Sequence, residues 1–168
     1  MIMKEFICGI DEAGRGPLAG PVTAAAVILP DDFEIELLND SKKLSEKKRL
    51  VLEELIKQKS IAWSDVHIPH NIIDEINILN ASLLAMKNAF ENLATPSGEF
   101  YKGEVSKIIV DGIYFPDLKV SDGVECITKV KADATEPSVM AASILAKTAR
   151  DKLMVEFSKL YPEYQYEK

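Results

Sequence analysis

Cysteine is scarce in this sequence. There are two in 168 residues, Cys8 and Cys126, too few for a disulfide framework. Both lie in apolar, strand-like surroundings and are expected to be buried, reduced thiols of a cytoplasmic protein. A long apolar run is also missing. The longest, near 22–29 and 139–146, fall far short of the roughly 20 residues a membrane span needs. Met1-Ile2-Met3-Lys4-Glu5 carries an acid and no apolar core, so no signal peptide is expected. Net positive charge is absent as well: 20 basic against 27 acidic side chains leave −7. On its face that speaks against a nucleic-acid binder. Acids gathered around metal ions weaken such a count, because net charge governs solubility and steering rather than the identity of a site. Repeats and low-complexity tracts are lacking too.

What remains is ordinary globular chain, 47% hydrophobic and 28% charged. A chain this long buries roughly 68–70% of its unfolded surface, so residues 1–168 are read as one domain. Strands are expected at 5–10, 22–29, 61–67, 107–110 and 124–130. Ser45 is placed to cap a helix running to about residue 58. A second helical region covers 69–94. Pro137 suits the first position of a long helix over 138–160. The order ββαβαββα predicts an α/β domain with one mixed sheet and helices on both faces.

The acids fall where such a sheet places its ligand crevice, at the carboxyl ends of strands. Asp11 and Glu12 close strand one, Asp111 closes strand four, and Asp133 precedes the last helix. If strands one and four are parallel neighbours, Asp11 and Asp111 stand side by side. Clustered carboxylates repel unless a cation neutralises them, and all-oxygen ligands suit Mg²⁺ or Mn²⁺ rather than Zn²⁺. Pattern alone leaves open that they are separate, solvated turn residues. Gly14-Arg15-Gly16-Pro17 is either a ligand-approaching loop or a plain tight turn. Lys42 and Lys43, just before a helix, are either a phosphate contact or a solvated basic turn. Ser143 and Lys147 share a helix face, where Lys147 can pair with Asp151. His67 and His70, flanking Pro69 in a loop, are read as structural.

The strings themselves resemble one family. Gly9-Ile10-Asp11-Glu12-Ala13-Gly14-Arg15-Gly16-Pro17-Leu18-Ala19-Gly20-Pro21-Val22 is similar to the opening motif of type 2 ribonucleases H of the bacterial ribonuclease HII kind. Asp40-Ser41-Lys42-Lys43-Leu44-Ser45, Asn77-Ile78-Leu79-Asn80-Ala81-Ser82-Leu83-Leu84-Ala85-Met86, Val110-Asp111-Gly112, Lys131-Ala132-Asp133-Ala134 and Ala141-Ala142-Ser143-Ile144-Leu145-Ala146-Lys147 follow in that family's order. The resemblance implies a ribonuclease H-like fold, a five-stranded mixed sheet with strands one and four adjacent. It implies Asp11, Glu12, Asp111 and Asp133 as catalytic acids, with Asp11, Glu12 and Asp111 holding two Mg²⁺ or Mn²⁺ ions. Gly14, Arg15 and Gly16 would sense the ribonucleotide 2′-hydroxyl, the group that separates RNA from DNA. Lys42, Ser143 and Lys147 would touch phosphates or order the site.

The implied reaction is metal-assisted hydrolysis on the 5′ side of a ribonucleotide. Its substrates would be RNA–DNA hybrid duplexes and DNA with embedded ribonucleotides. Primer removal in DNA replication and ribonucleotide repair follow as roles, with the enzyme a cytoplasmic monomer that has no membrane contact. Members of the family usually continue into a Lys-Gly-Tyr block, whereas this sequence reaches Tyr164-Gln165-Tyr166-Glu167-Lys168 without it. An inactive hybrid-binding domain is therefore the alternative expectation. A ribonuclease HIII-like enzyme is a further one, against which Arg15 and the short N-terminus speak.

Overall fold

A computed structural model describes residues 5–15, 20–38 and 44–164. Five strands form one sheet: β1 (Ile7–Ala13), β2 (Val22–Ile28), β3 (Ala62–Ile68), β4 (Lys107–Asp111) and β5 (Glu125–Lys129). Their order is β3-β2-β1-β4-β5. β1 is antiparallel to β2 on one side and parallel to β4 on the other, with Ile10 opposite Val110. The sheet is thus mixed, as expected, and the adjacency of strands one and four is observed.

Three helices cover it: α1 (Glu46–Lys59), α2 (His70–Glu91) and α3 (Pro137–Leu160). α2 packs on one face, where Cys8, Ile10, Ala24, Ala26, Ile108 and Val110 meet Ala81, Ala85 and Ala89. α1 and α3 share the other face, over Ala25 and Val27. Small residues on β2 let helices approach closely from both sides. Gly9 does the same on β1. A Cβ there would lie 2.2 Å from the Ser138 carbonyl carbon, so the start of α3 rests directly on the β1 backbone. Ser138 adds a hydrogen bond from its hydroxyl to the Ile7 carbonyl at 3.2 Å.

The local signals act as expected at two helix starts. Ser45 caps α1, its hydroxyl accepting from the Lys48 N–H at 3.3 Å. Pro137 opens α3. Several boundaries differ. β1 runs on to Ala13, because β2 keeps pairing with it through Asp11, Glu12 and Ala13. α2 is broken at Asn77, which has φ 70° and ψ 168°. The Asn77 side chain accepts from the Asn80 N–H at 3.0 Å, so it caps the second half of the helix as a fresh start. His67 is on β3 rather than in a loop, its Nδ1 2.7 Å from the Thr23 hydroxyl. Cys8 is buried as expected, and burial pushes its thiol up to about 12. Cys126 is exposed, contrary to expectation. It lies on an edge strand where four of five residues face solvent. No helix among the described residues is long and apolar enough to cross a membrane.

Candidate active site

Asp11, within β1, and Asp111, the last residue of β4, each follow the Ile10–Val110 pair at which the parallel pairing of the two strands ends. Asp11 is in register with Ala25, so it lies on the face that α3 covers. A 3₁₀ turn, Ala132–Ala134, brings Asp133 alongside. The turn begins after Lys131, which adopts a left-handed conformation at φ 61°. Its position is fixed by the Asp133 N–H, which donates to Asp111 Oδ2 at 3.2 Å. One carboxylate oxygen from each of Asp11, Asp111 and Asp133 lies within 4.8 Å of the others.

Such crowding costs the charged forms. Asp11 is 6% exposed. Burial, then the charges of Glu12 and Asp111, push its carboxyl well above the usual range. The Glu12 N–H, donating to Asp11 Oδ1 at 2.8 Å, offsets part of this. Burial, together with the Asp133 carboxyl, lifts Asp111 to about 6. Burial raises Glu12 as well, while the Arg15 guanidinium draws it back.

An all-carboxylate set of this kind, held in part by backbone N–H groups, fits a hard divalent cation. Glu12 supports the fit: its Oε2 is buried and has no hydrogen-bond partner among the described residues. The oxygens that gather are those of Asp11, Asp111 and Asp133. Glu12, which the family resemblance places among the ligands, stands beside them and lines a neighbouring pocket.

The glycine-rich loop flanks this cluster. Gly14 has φ 92°, a conformation costly for any residue with a Cβ. Arg150 of α3 lies against it, and a Cβ on Gly14 would come within 2.0 Å of Arg150 Nε. That Nε–H donates to the Pro21 carbonyl at 3.1 Å, so α3 ties down both ends of the loop that begins at Gly14. Arg15 is exposed and lines the same pocket as Glu12 and Asp111. Gly16 and Lys42 lie outside the described residues.

Ser143 and Lys147 fall one turn apart on α3, half-buried and exposed respectively. Lys147 pairs with Asp151 at 3.9 Å, and Asp151 also meets Arg49 at 3.7 Å. Sequence reasoning missed Ser82 of α2. It lines the pocket beside Glu12 and Asp111, and its buried hydroxyl has no hydrogen-bond partner among the described residues. The only signal was a hydroxyl on an otherwise apolar helical face. A larger groove of about 580 Å³ runs between α1 and α3. Its deepest acid, Glu53, is neutralised by Lys152 and Lys57, so size does not mark the site here.

Known proteins share this chain's sequence and fold. The ribonuclease HII family profile matches residues 8–168. The ribonuclease HII of Treponema denticola is 52% identical over 97% of this chain and 84% of its own length. That of Caldicellulosiruptor bescii is 50% identical, with 97% and 73% covered. That of Caldanaerobacter subterraneus is 47% identical, with 97% and 63% covered. Among solved structures, ribonuclease H2 of Pyrococcus horikoshii shares the fold with a TM-score of 0.74 at 24% identity, over 97% of this chain and 78% of that one. The ribonuclease HII in a PCNA complex from Archaeoglobus fulgidus gives 0.73 at 25% identity, over 93% and 78%. Ordered motifs, a ribonuclease H-like sheet and a carboxylate cluster at its β1–β4 end converge: this chain belongs to the ribonuclease HII family, hydrolases that act as endonucleases on RNA–DNA hybrids.

Proposed function

We propose that this chain hydrolyses the phosphodiester on the 5′ side of a ribonucleotide, in RNA–DNA hybrids and in DNA carrying embedded ribonucleotides, leaving 3′-hydroxyl and 5′-phosphate ends. The observation that carries the reading is the convergence of Asp11, Asp111 and Asp133 where the parallel pairing of β1 with β4 ends. Asp11, Glu12 and Asp111 hold the cations in this reading, and Asp133 is the fourth acid. Two bound Mg²⁺ or Mn²⁺ ions supply an activated attacking water and a stabilised leaving 3′-oxygen.

The chain's own residues do the rest. The Asp133 N–H keeps Asp111 turned toward the cluster. The Glu12 N–H does the same for Asp11. Gly14, Arg15 and Gly16 meet the ribose 2′-hydroxyl, with Arg150 keeping Gly14 close to the acids. Lys42, Ser143 and Lys147 meet backbone phosphates, which position the duplex without reading its sequence. Exposed Lys147 is supported in this role by its place one turn beyond Ser143 on α3. In the cell the reading implies primer removal and ribonucleotide repair by a cytoplasmic monomer.

The test is a cleavage gel on an end-labelled duplex with a single ribonucleotide, in Mg²⁺, Mn²⁺ or EDTA. An all-DNA duplex and Asp11→Asn protein are the controls. One metal-dependent cut 5′ to the ribonucleotide is expected, with Asp11→Asn slower by about 10²-fold or more, since a cation site supplies several kcal/mol. Asp11→Asn protein cutting at the parent rate would overturn the assignment. Tight hybrid binding without product in either metal would instead make the chain a binding domain.

A further inference from the structure

Two large apolar side chains stand in water on the loop that leaves the acids. Ile113 is 67% exposed and Tyr114 48%. Exposed apolar residues scattered singly need no explanation. These two are neighbours at one loop tip, and they line the same pocket as Glu12, Arg15 and Asp111. The chain is tied down on both sides of them. Before the tip, Gly112 turns at φ 113° and its N–H donates to the Lys129 carbonyl at 3.1 Å. After it, Pro116 is buried. Phe115, Leu118 and Val120 of the same segment pack against the core beneath α2. The segment thus buries its later apolar residues and presents Ile113 and Tyr114 outward.

The covalent chain bounds how far the tip stands from the acids. Three residues span at most about 11 Å, so the Tyr114 Cα lies within that distance of the Asp111 Cα. Along a duplex strand, that is about three steps of 3.4 Å. The surface that Arg15 would meet there is known by its chemistry. A ribose 2′-hydroxyl is displayed in the wide, shallow minor groove of an A-form helix. Paired bases are stacked out of reach, so an aromatic ring entering that groove meets the C–H faces of sugars. An uncharged contact suits this place, because a lysine or arginine beside the carboxylates would compete with the divalent cations they gather to hold.

We propose that Tyr114, flanked by Ile113, is a substrate-contact residue whose ring packs on a sugar of the duplex, within about three nucleotides of the bond that is cut. The proposal rests on the reading of the neighbouring acids as the place of hydrolysis.

The test compares the full-length parent, Tyr114→Ala and Tyr114→Phe on the duplex with a single ribonucleotide. Tyr114→Ala is expected to raise KM about 10-fold, the ordinary scale for losing an aromatic contact with nucleic acid, with kcat near the parent's. Tyr114→Phe keeps the ring and should keep the parent KM. Kd is then read by fluorescence anisotropy in an Asp11→Asn background, which holds the duplex uncut. Tyr114→Ala should weaken it by the same factor at every salt concentration. The slope of log Kd against log salt should not change, because a ring on a sugar releases no counterions. The Tyr114 side chain is half in water, so the thermal midpoint of Tyr114→Ala should stay near the parent's. Tyr114→Ala with the parent's KM and Kd would refute the proposal and leave the hydrolysis reading standing. A shallower salt slope would make the contact one to phosphate, and a loss in Tyr114→Phe equal to that in Tyr114→Ala would make it one through the hydroxyl; either overturns the proposal. A parent that neither binds nor cuts the duplex would remove the hydrolysis reading and the proposal together.

Discussion

Replacing Asp111 with asparagine should make the metal-free protein more stable, although it removes a proposed ligand. Asp111 titrates at about 6 in the fold, against an ordinary 3.8. The difference of about two is worth about 3 kcal/mol at 1.36 kcal/mol each. Asp111 is half-buried, so water screens part of this, and about 1–2 kcal/mol is the realistic gain.

The sign follows from proton linkage. A carboxyl whose folded value is raised binds its proton more tightly in the native state. Stability therefore falls as pH rises from about 4 to about 6 and stays low above that. Asparagine removes the penalty, so the gain is full above pH 6 and absent below pH 4. Its side-chain oxygen can still accept from the Asp133 N–H. Thermal unfolding in EDTA should show a rise of about 3–6 °C at pH 7.5, shrinking to nothing at pH 4. Saturating Mn²⁺ should reverse the order by stabilising the parent alone. An Asp111→Asn protein no more stable than the parent in EDTA at pH 7.5 would refute the view that the acids repel one another in the apo fold.

Two glycines offer further tests. Gly9→Ala puts a methyl 2.2 Å from the Ser138 backbone, where only movement of α3 gives room. A loss of about 3 kcal/mol or more is expected by urea denaturation; a loss under 1 kcal/mol would mean that α3 yields freely. Gly14→Ala meets both a positive φ and the Arg150 side chain. A loss of about 2–3 kcal/mol is expected from backbone strain and the disturbed Arg150–Pro21 bond, with a raised KM for the ribonucleotide-bearing duplex. An unchanged KM would separate this loop from substrate contact.

The local elements were largely legible and the site was legible only in part. Ser45 and Pro137 announced their helices because caps and first-turn prolines act within a few residues. The break at Asn77 was missed because apolar residues continue through it. The positive φ of Asn77 and its hydrogen bond with Asn80, both features of the folded chain, separate a capped restart from a continuous helix. Cys126 misled because its neighbours look strand-like, while its exposure follows from the place of β5 at the edge of the sheet. The meeting of Asp11 with Asp111 is a pairing of strands far apart in sequence. No periodicity encodes it; the family motifs did. Ser82 could not be singled out, since a hydroxyl's lack of partners is a property of the packed structure.

The parallel pairing of β1 with β4 joins Ile7 to Lys107, and Asp133 must then fold back onto Asp111. A ribosome has released the first two acids long before it makes the third and fourth. Loop closure over that distance is entropically late. The nascent chain therefore passes most of its synthesis with its acids unassembled. Nuclease competence would then appear abruptly, once α3 can settle on Gly9, and chains stalled or cut before that point would be harmless to the nucleic acid around them.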